Sequence, residues 1–488
     1  MNSKKLLSLI LASLMLSLPL FSCSNKGADG ETAPDTTSDT STTAAAESDT
    51  ETGPAGTALD DGLGNPDFNG YNFRILSCFF GGDYGANRMM YDELTGSPVN
   101  DELYNSKTYI EDRFDVKYES IEIQEAADVQ TTTRNSINAS DNSFDIVINH
   151  DGMTFDLAKA GMFANMKSID QFDFEKPWWP ENSVNSLTVS GKLYCASSYL
   201  TYTGLHWTRA MIVNKDYADS IGMEIPYDLV REGKWTTDAL LERVYGNSQD
   251  LDGNGKMTKD DRVAFVTGRE TFYCLQESQD IPIYRHDDSG SVYMDIDVDK
   301  IDTYVQKWRA LVESDDYYLS DDGFGETTFV NGNNLFCYGQ IGDAYDIYRT
   351  TEMRYGFLPT PKFDEYQENY INCCTDLPWA IPKTAQGEQL DIISTLCEAI
   401  SCYNYQKVLP AYFDVAMKSR AADSADDAEM LQIVADTRTI SFGYSFGLPL
   451  NNILDKIGSQ EAASFLKSSE KMATKVLEKL SQTFEEME

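Results

Sequence analysis

Residues 144–163, FDIVINHDGMTFDLAKAGMF, decide the fold class of this chain. The first six residues, Phe144 to Asn149, form a short and mostly apolar run, as expected of a strand buried in a parallel sheet. Asp156 to Phe163 then shows helical spacing and ends near a turn that contains glycine. Strands that alternate with helices are typical of α/β proteins. This stretch therefore predicts a parallel sheet covered by helices.

The same alternation of strand and helix continues on both sides of this stretch. Because one sheet with its helices rarely accommodates ~420 residues, two α/β lobes are expected. The further predicted strands are Tyr71 to Phe79, Val116 to Ile123, Ala210 to Asn214, Leu335 to Tyr338 and Tyr355 to Leu358, and the helices are Asp101 to Phe114, Thr236 to Tyr245, Glu388 to Tyr405 and Ser459 to Phe484. Thr236 or Thr237 is the expected N-cap of the second of these helices.

Composition narrows the class of partner. The 488 residues include 79 acidic and 39 basic side chains, for a net charge of −40. This balance argues against nucleic acid, whose phosphates need Lys and Arg, and against electrostatic docking on anionic lipid. Hydrophobic residues make up 41% of the chain, which is ordinary for a globular protein rather than a disordered one.

The N-terminus has the pattern of a processing signal. Residues 1–22 carry two early lysines and a short apolar run, as in a signal peptide. Leu20-Phe21-Ser22-Cys23 resembles a bacterial lipobox, which implies that Cys23 is lipidated; the alternative is a plain secretory signal cut nearby. Residues 23–65 are rich in Ser, Thr and acids, which predicts a disordered tether. The chain is then expected at the cell membrane, on its extracellular or periplasmic face and held only by lipid.

The numbers and spacing of cysteine and histidine limit the disulfides and metal centres that this chain can form. Setting Cys23 aside leaves eight cysteines without CxxC spacing, too sparse for a disulfide-built scaffold. The adjacent Cys373 and Cys374 are interpreted as two buried free thiols, with a strained vicinal disulfide as the alternative. Only three histidines exist, which argues against a His-rich metal centre.

Six segments in chain order resemble one known family. The segments are FDIVINHDGMTFDLAKAGMFANM (144–166), GKLYCASSYLTYTGLHWTRAMIVNKD (191–216), GMEIPYDLVREGKWTTDALLE (222–242), TTFVNGNNLFCYGQ (327–340), RYGFLPTPKFDEYQENY (354–370) and WAIPKTA (379–385). In these segments the chain is similar to the extracellular solute-binding proteins of bacterial ABC transporters, in the sugar-binding group (family 1) related to maltose-binding protein.

This resemblance implies a type II-like Venus-flytrap fold, a non-enzymatic role, a monomer and delivery of a carbohydrate, in particular an oligosaccharide, to the transmembrane subunits of an ABC permease. Two α/β lobes are joined by hinge crossings: residues 66–198 plus 380–425 form lobe one, and residues 199–379 plus 426–488 form lobe two. The ligand then sits in the crevice at the carboxyl ends of strands. Binding shifts the populations of open and closed forms.

A sugar site needs aromatic faces for the ring and polar groups for the hydroxyls. Candidate residues follow strands or lie in the predicted hinge and C-terminal loop. For the aromatic ones, packing in the core is the alternative; for His150 to Met153 it is a capped surface turn, and for Asp376 with Trp379 it is a packing pair in the hinge. The predicted ligand-binding residues are His150, Asp151, Met153, Tyr199, Tyr202, His206, Trp207, Tyr338, Gln340, Asp343, Asp376, Trp379, Arg438, Phe442 and Tyr444.

Residues 250–261, DLDGNGKMTKDD, have the spacing of an EF-hand-type calcium loop. Gly255 at the sixth position allows the sharp turn, and Asp261 stands at the twelfth position, where sensor loops have Glu. A polar turn without an ion is the alternative. The acidic run 295–299 lacks such a glycine and is predicted to be an alternating strand. The predicted ligands of a structural Ca²⁺ are Asp250, Asp252, Asn254, Lys256 through its carbonyl, Thr258 and Asp261.

Two other classes of function stay open. A secreted carbohydrate-active enzyme needs two carboxylates in a cleft, and 79 acids do not exclude it by counting. The sequence has no HExxH or P-loop motif. A cell-surface glycan-binding or sensor module would use the same fold without a permease. Peptide, polyamine and metal-chelate ligands also remain compatible with the composition.

Overall fold

The computed structural model describes residues 60–79, 88–268, 271–287, 289–320, 325–348, 351–418 and 424–487. The predicted signal peptide, Cys23 and the tether up to residue 59 lie outside these ranges. The strands are β1 (Tyr71–Cys78), β2 (Val116–Ile123), β3 (Ile146–Ile148), β4 (Arg209–Asn214), β5 (Val263–Thr267), β6 (Tyr284–His286), β7 (Val292–Met294), β8 (Tyr317–Leu319), β9 (Asn334–Gln340), β10 (Tyr355–Leu358), β11 (Asn372–Cys374), β12 (Trp379–Ala380) and β13 (Arg438–Ile440).

Helices surround these strands, and a short 3₁₀ turn (Met166–Ser168) and a π-helical segment (Asn404–Val408) accompany them. The helices are α1 (Pro98–Phe114), α2 (Ala126–Ala139), α3 (Asp151–Lys159), α4 (Glu181–Leu187), α5 (Thr203–His206), α6 (Lys215–Ile221), α7 (Tyr227–Arg231), α8 (Thr237–Val244), α9 (Phe272–Ser278), α10 (Val298–Val312), α11 (Glu326–Phe329), α12 (Asp343–Asp346), α13 (Glu388–Tyr403), α14 (Leu409–Lys418), α15 (Ala425–Asp436), α16 (Phe442–Ser445), α17 (Ile453–Lys456) and α18 (Ala462–Glu486).

The first sheet has the strand order β12-β3-β1-β2. β1 pairs in parallel with both β2 and β3, and the short β12 closes the edge in antiparallel fashion. All three residues of β3 are buried, as its apolar sequence predicts. Because β3 runs directly into α3, the carboxyl end of this strand places the first turn of α3 at the edge of the sheet.

The second sheet has the order β10-β4-β9-β5-β8. β5 pairs in parallel with β8 and β9, whereas β4 is antiparallel to β9 and β10. The carboxyl ends of β5 and β9 therefore lie at one edge, together with the start of β4. α9 follows β5 and α12 follows β9, so both helices begin near this edge.

The chain crosses between the two sheets in segments that are paired with each other. Ala196 and Trp379 exchange backbone hydrogen bonds of 2.9 and 3.0 Å, and Thr208 forms a second antiparallel bridge with Cys374. A third connection, β13, runs parallel to β11. β12 belongs to the first sheet and α15 packs against β10 of the second. The predicted lobe boundaries themselves stay a prediction.

Several predicted elements agree with the structure, and three predictions need correction. β2 and β10 have the predicted bounds, and Thr236 caps α8 by accepting from the Ala239 amide at 3.3 Å. α3 begins five residues before the predicted start, at Asp151. The acidic run 295–299 is not a strand, because Asp297 caps α10 by accepting from the Lys300 amide.

The end of the predicted tether is also ordered rather than disordered. Arg113 of α1 contacts both carboxylate oxygens of Asp61, at 2.5 and 2.9 Å, and also the carbonyl of Gly64. This bidentate contact holds residues 60–65 against the first sheet's helices, which the polar composition alone does not indicate. Among the described residues, no helix combines the length and apolar character required to cross a bilayer.

Glu398 of α13 fixes the adjacent tryptophans Trp178 and Trp179. Its carboxylate is fully buried and accepts from the two indole nitrogens, each at 2.8 Å. Burial raises the pKa of Glu398 to about 7, and both indole N–H groups oppose this shift. Trp235 and Trp308 are also buried, and Trp235 donates to the Pro359 carbonyl at 2.9 Å.

Glu398→Ala should destabilise the fold by about 2–4 kcal/mol, because it leaves two buried indole donors without an acceptor. Chemical denaturation followed by tryptophan fluorescence measures this loss. Glu388→Ala, on the exposed first turn of the same helix, is the control and should change the unfolding free energy by less than about 1 kcal/mol. Equal effects of the two variants would contradict the role given to Glu398.

Candidate functional site

A set of polar and aromatic residues gathers where the two sheets meet. Asp151 opens α3 at the carboxyl end of β3, and Tyr273 lies in α9 beyond the carboxyl end of β5. Asp151 contributes to the raised pKa values of both Tyr273 and Asp376, so these groups lie within electrostatic range of one another. The set, hereafter the junction cluster, comprises Asp151, Ser197, Gly204, Tyr273, Asp376 and Tyr444.

Two tyrosines form a face-to-face stack within the junction cluster. The ring centroids of Tyr273 and Tyr444 are 3.6 Å apart and the ring planes differ by 3°. Tyr273 is buried, and Tyr444 in α16 is half-buried. Phe446, just after α16, packs on Phe155 of α3 with centroids 4.8 Å apart, so α16 also reaches the first sheet's side. The stack therefore lies where elements from both sheets converge.

Asp376 is the most enclosed carboxylate of the junction cluster. Its oxygens accept from the hydroxyl of Ser197 and from the Leu377 amide, the latter at 2.8 Å. A Cβ at Gly204 would lie 2.9 Å from the carboxylate, so only glycine fits there without displacement. Burial raises the pKa of Asp376 to about 6, and the charge of Asp151 adds to this rise. Near neutral pH the cluster thus holds a carboxyl group that is close to titrating.

A buried ion pair supports the second sheet's side of the junction. Arg209 at the start of β4 contacts Glu326 at 2.6 Å, and both side chains are nearly inaccessible. Asp343 accepts from the Gln340 amide at 2.8 Å. Burial, followed by the nearby charge of Glu326, raises the pKa of Asp343 well above its usual range. The predicted residues Gln340 and Asp343 are therefore brought together here, against the edge at which β9 ends.

His206 belongs to a second polar network across the junction. Its Nε2 lies 2.8 Å from the Asp346 carboxylate, and the Tyr412 hydroxyl lies 3.2 Å from its Nδ1. Tyr202 packs on Tyr412, and the Arg88 guanidinium lies 5.2 Å from the ring of Tyr202. Arg88 follows β1, whereas Asp346 is in α12. These contacts join the first sheet's elements to the second sheet's elements through the segment that carries α5.

The predicted residues after β3 are placed at the edge of the junction. His150 is about half exposed, and its Nδ1 is 2.9 Å from Asp151, whose hydrogen bond raises the pKa of this imidazole. Met153 is half-buried in α3. Trp207 is half-buried at the end of α5. These three side chains keep access to solvent, unlike Asp151 itself.

Three predicted ligand-binding aromatics lie in the core instead. Tyr338 is 1% exposed, since both faces of the central strand β9 are covered. Trp379 packs between Phe172 and Trp179 and donates to the Ser198 hydroxyl at 3.1 Å. Phe442 is buried against other aromatic rings. Proximity to a strand end or a hinge did not expose these residues, because neighbouring helices and loops cover them.

Tyr199 and Arg438 form a pair away from the junction cluster. The Arg438 guanidinium donates to the Tyr199 hydroxyl at 2.6 Å and lies 4.2 Å from the centre of its ring. Both residues line a cavity of about 420 Å³, which also touches Trp179 and Tyr405. None of the junction-cluster residues lines this cavity, so these two predicted residues belong to a different place.

Sequence reasoning missed Tyr273, Ser197, Arg209 and Glu326. Tyr273 follows the apolar run Val263–Thr267, and the same rule that selected Asp151, a position beyond the end of a buried strand, identifies it. Ser197, Arg209 and Glu326 carry no comparable local signal. Their roles arise from partners more than 100 residues away in sequence, as the Arg209–Glu326 pair shows.

The predicted calcium loop brings its acidic side chains together. Asp250, Asp252 and Asp261 each offer an oxygen, and these atoms lie within 4.8 Å of one another. Asp250 accepts from the amides of Gly253 and Gly255, each at 2.7 Å, and both glycines have positive φ. Backbone amides lower the pKa values of Asp250 and Asp261, so both are ionised, as a hard cation requires.

Comparison with solved structures finds a similar fold in several known solute-binding proteins. An ABC substrate-binding protein of Listeria monocytogenes, solved with cycloalternan, is 14% identical, covers 84% of this chain and 99% of its own, and gives a TM-score of 0.51. The sugar-binding protein MalE of Xanthomonas citri is 13% identical, with coverage of 86% and 100% and a TM-score of 0.54. The GacH receptor of Streptomyces glaucescens, studied unliganded and with acarbose, is 13% identical, with coverage of 83% and 99% and a TM-score of 0.52.

No protein-family model matches the sequence, and comparison with curated proteins also finds no match. At identities of 13–14% the structural likeness shows the fold. The chain has the two-lobed α/β fold of periplasmic binding proteins, as the sequence predicts.

Asp376→Asn should flatten the pH dependence of stability between pH 4 and pH 7. The folded-state pKa of about 6 lies above the usual 3.8, so the stability that this carboxyl contributes is full below 3.8 and is lost as pH rises through 6. The unfolding free energy of the variant, measured relative to that of the wild type, should therefore rise by roughly 1 kcal/mol for each pH unit between these two pKa values. Denaturation at several pH values measures the difference, with the exposed Asp112→Asn as control. A constant difference across this pH range would contradict the assignment.

Proposed function

We propose that the protein captures a carbohydrate between its two lobes outside the cell and delivers it to an ABC permease. The observation that carries this proposal is the stacked pair Tyr273 and Tyr444 beside the buried carboxyls of the junction cluster. Aromatic faces accommodate the apolar faces of a sugar ring, and carboxyl groups accept from its hydroxyls. A sugar ring that enters the cluster would displace one of the two tyrosines and stack on the ring of the other.

The known proteins of similar fold support the carbohydrate class by analogy. One is solved with cycloalternan, another is described as a sugar-binding protein, and a third is solved with acarbose. Function does not follow from fold, so this analogy only adds to the chemistry of the junction cluster. The predicted lipobox at Cys23 and the acidic tether complete the proposal: a monomer anchored by lipid, with its two lobes free to meet a membrane permease.

Neutral oligosaccharides should raise the melting temperature of the soluble part of the chain. Tyr273→Ala and Tyr444→Ala should each weaken oligosaccharide binding by about 1–3 kcal/mol, because each substitution removes one aromatic face. Isothermal titration with a maltooligosaccharide series and other neutral glycans measures the affinities. Tyr293→Ala is the matched control, since this tyrosine is 47% exposed on β7. Stabilisation by peptides alone, with no response to any sugar, would contradict the carbohydrate class.

One observation favours an enzyme as the second candidate. Asp151 and Asp376 are two carboxyl groups in one site, and the pKa of Asp376 is raised to about 6. Glycosidases use a pair of carboxyl groups in different environments. Chromatography of the oligosaccharides after incubation separates the two functions, because a binding protein returns them intact and an enzyme releases shorter products.

We also propose a structural calcium ion in the loop 250–261. The side chains that would hold it are Asp250, Asp252, Asn254 and Asp261, with the Lys256 carbonyl, and Thr258 through a water. The supporting observation is the convergence of three carboxylates around two glycines of positive φ. A bound cation would offset the mutual repulsion of these carboxylates and fix the loop before β5.

Calcium should bind with a dissociation constant on the order of 10⁻⁴–10⁻³ M and raise the melting temperature. Asp250→Asn should weaken this binding at least about tenfold, since it removes a charge from the first ligand position. Asp260→Asn is the control, because Asp260 is exposed in the same loop and outside the ligand set. Calorimetry on chelator-treated protein measures both. Equal binding by the two variants, or no heat with millimolar Ca²⁺, would remove the proposal.

A further inference from the structure

The cavity lined by Tyr199 and Arg438 includes none of the junction-cluster residues in its walls, although Arg438 lies within electrostatic range of Asp376. It has a volume of about 420 Å³ and is bounded by the loop before α4, by α4 itself and by the end of α15 with the start of β13. This volume falls within the ordinary range of small-molecule sites. By the predicted lobe boundaries, its walls come from segments of both lobes.

Arg438 is the buried cation of this cavity. The side chain is only 2% exposed, its guanidinium donates to the Tyr199 hydroxyl, and its Nε makes no hydrogen bond. Among the described residues, no carboxylate lies within 4.0 Å of this guanidinium, whereas Arg74 and Arg209 each have one at 2.6–2.7 Å. A buried charge without an opposite charge in contact is costly, and a bound anion would offset that cost.

The other charges around the cavity do not supply this contact. Asp376 and Asp436 lie within electrostatic range of Arg438, since its charge opposes the rise in both of their pKa values. The oxygens of Asp376 accept from Ser197 and Leu377 instead, and Asp436 accepts from a glutamine side chain. The charged residues that line the cavity beside Arg438 are Lys167, Lys176, Glu175, Glu181 and Asp436. Arg438 is the buried cation among them, because the other five side chains are exposed or half-buried.

Aromatic rings form the remaining walls. Trp179 is fixed by its hydrogen bond to Glu398, so its orientation is set before any ligand arrives. Tyr405 packs edge-on against Tyr199, with ring centroids 5.3 Å apart and planes at 67°. Phe174 packs on Trp179 at 4.7 Å. A ligand in this cavity thus meets aromatic side chains and Arg438.

We propose that this cavity is a second ligand site, selective for a sugar acid of the uronate class. The carboxylate of the ligand pairs with the free edge of the Arg438 guanidinium, and its pyranose ring lies against the rings of Trp179 and Tyr405. Arginine is suited to a carboxylate because its planar donors match the two oxygens. The site does not depend on the proposed capture of a neutral carbohydrate at the junction cluster.

Three probes separate the components of this site: glucuronate, glucose and acetate. Glucuronate should bind measurably by calorimetry and change the tryptophan fluorescence. Glucose lacks the carboxylate and acetate lacks the ring. Each of these two should therefore bind at least about tenfold more weakly than glucuronate. Equal affinity for glucuronate and glucose would overturn the role of Arg438. Equal affinity for glucuronate and acetate would overturn the role of the aromatic walls, and no binding of glucuronate would overturn the site.

Single substitutions test whether glucuronate binds in this cavity or in the junction cluster. Arg438→Gln should weaken glucuronate binding at least about tenfold, and Tyr405→Ala should weaken it several-fold while leaving the buried arginine in place. Tyr405 is half-buried, so this second variant keeps the test available should Arg438→Gln fail to fold. Tyr273→Ala in the junction cluster should leave glucuronate affinity unchanged. Loss of glucuronate binding in Tyr273→Ala, with retention in Arg438→Gln, would assign the uronate to the junction cluster and overturn the second site.

Discussion

The pairing between the two crossing segments is the constraint on which the rest of the structure depends. Ala196 and Trp379 exchange two backbone hydrogen bonds, and Thr208 and Cys374 bridge farther along. Between these points the chain must place Ser197, Gly204 and Asp376 within contact distance. The polar interior of the junction is therefore fixed by backbone pairing, in the same way that a sheet fixes the positions of its side chains.

This constraint gives the junction an electrostatic character different from that of the whole chain. The chain is strongly acidic, yet Asp376 and Asp343 are buried, and burial raises both of their pKa values. A carboxyl group near its pKa both donates and accepts hydrogen bonds, which suits a ligand with hydroxyl groups around its rim. An anionic ligand would meet repulsion here. The opposite holds at Arg438, where the buried charge is positive, so the junction cluster and the cavity beside Arg438 favour ligands of different charge.

The sequence predicted those parts of the fold that have a local cause. Apolar residues alternate in β2 and form a continuous buried run in β10, so the bounds of both strands were predicted to the residue. The start of α8 follows from its threonine cap. The prediction for the acidic run around Asp297 was wrong because alternation over five residues also fits a helix cap followed by its first turn. The ordering of Asp61 was missed because it comes from Arg113, which is distant in the chain.

The candidate site was predictable only in part, for the same reason. Asp151 and Asp343 follow strands whose ends can be found from the sequence, whereas Tyr338 and Trp379 satisfy similar rules and are covered by neighbouring elements. Whether an aromatic residue beside a strand end faces a groove or the interior depends on which helix packs over it. A single sequence does not encode that choice in any short pattern.

The cysteines give the fold a consequence for maturation. All eight cysteines among the described residues are free and buried, and burial raises the pKa values of six of their thiols, including Cys195 and Cys374 in the crossing region. Nucleophilic attack requires the thiolate, so these six thiols are protected from oxidants and disulfide exchange once the chain has folded. An unfolded chain has no such protection. In an oxidising compartment, which is the destination proposed for this chain, the two lobes must therefore fold before non-native disulfides form between these cysteines.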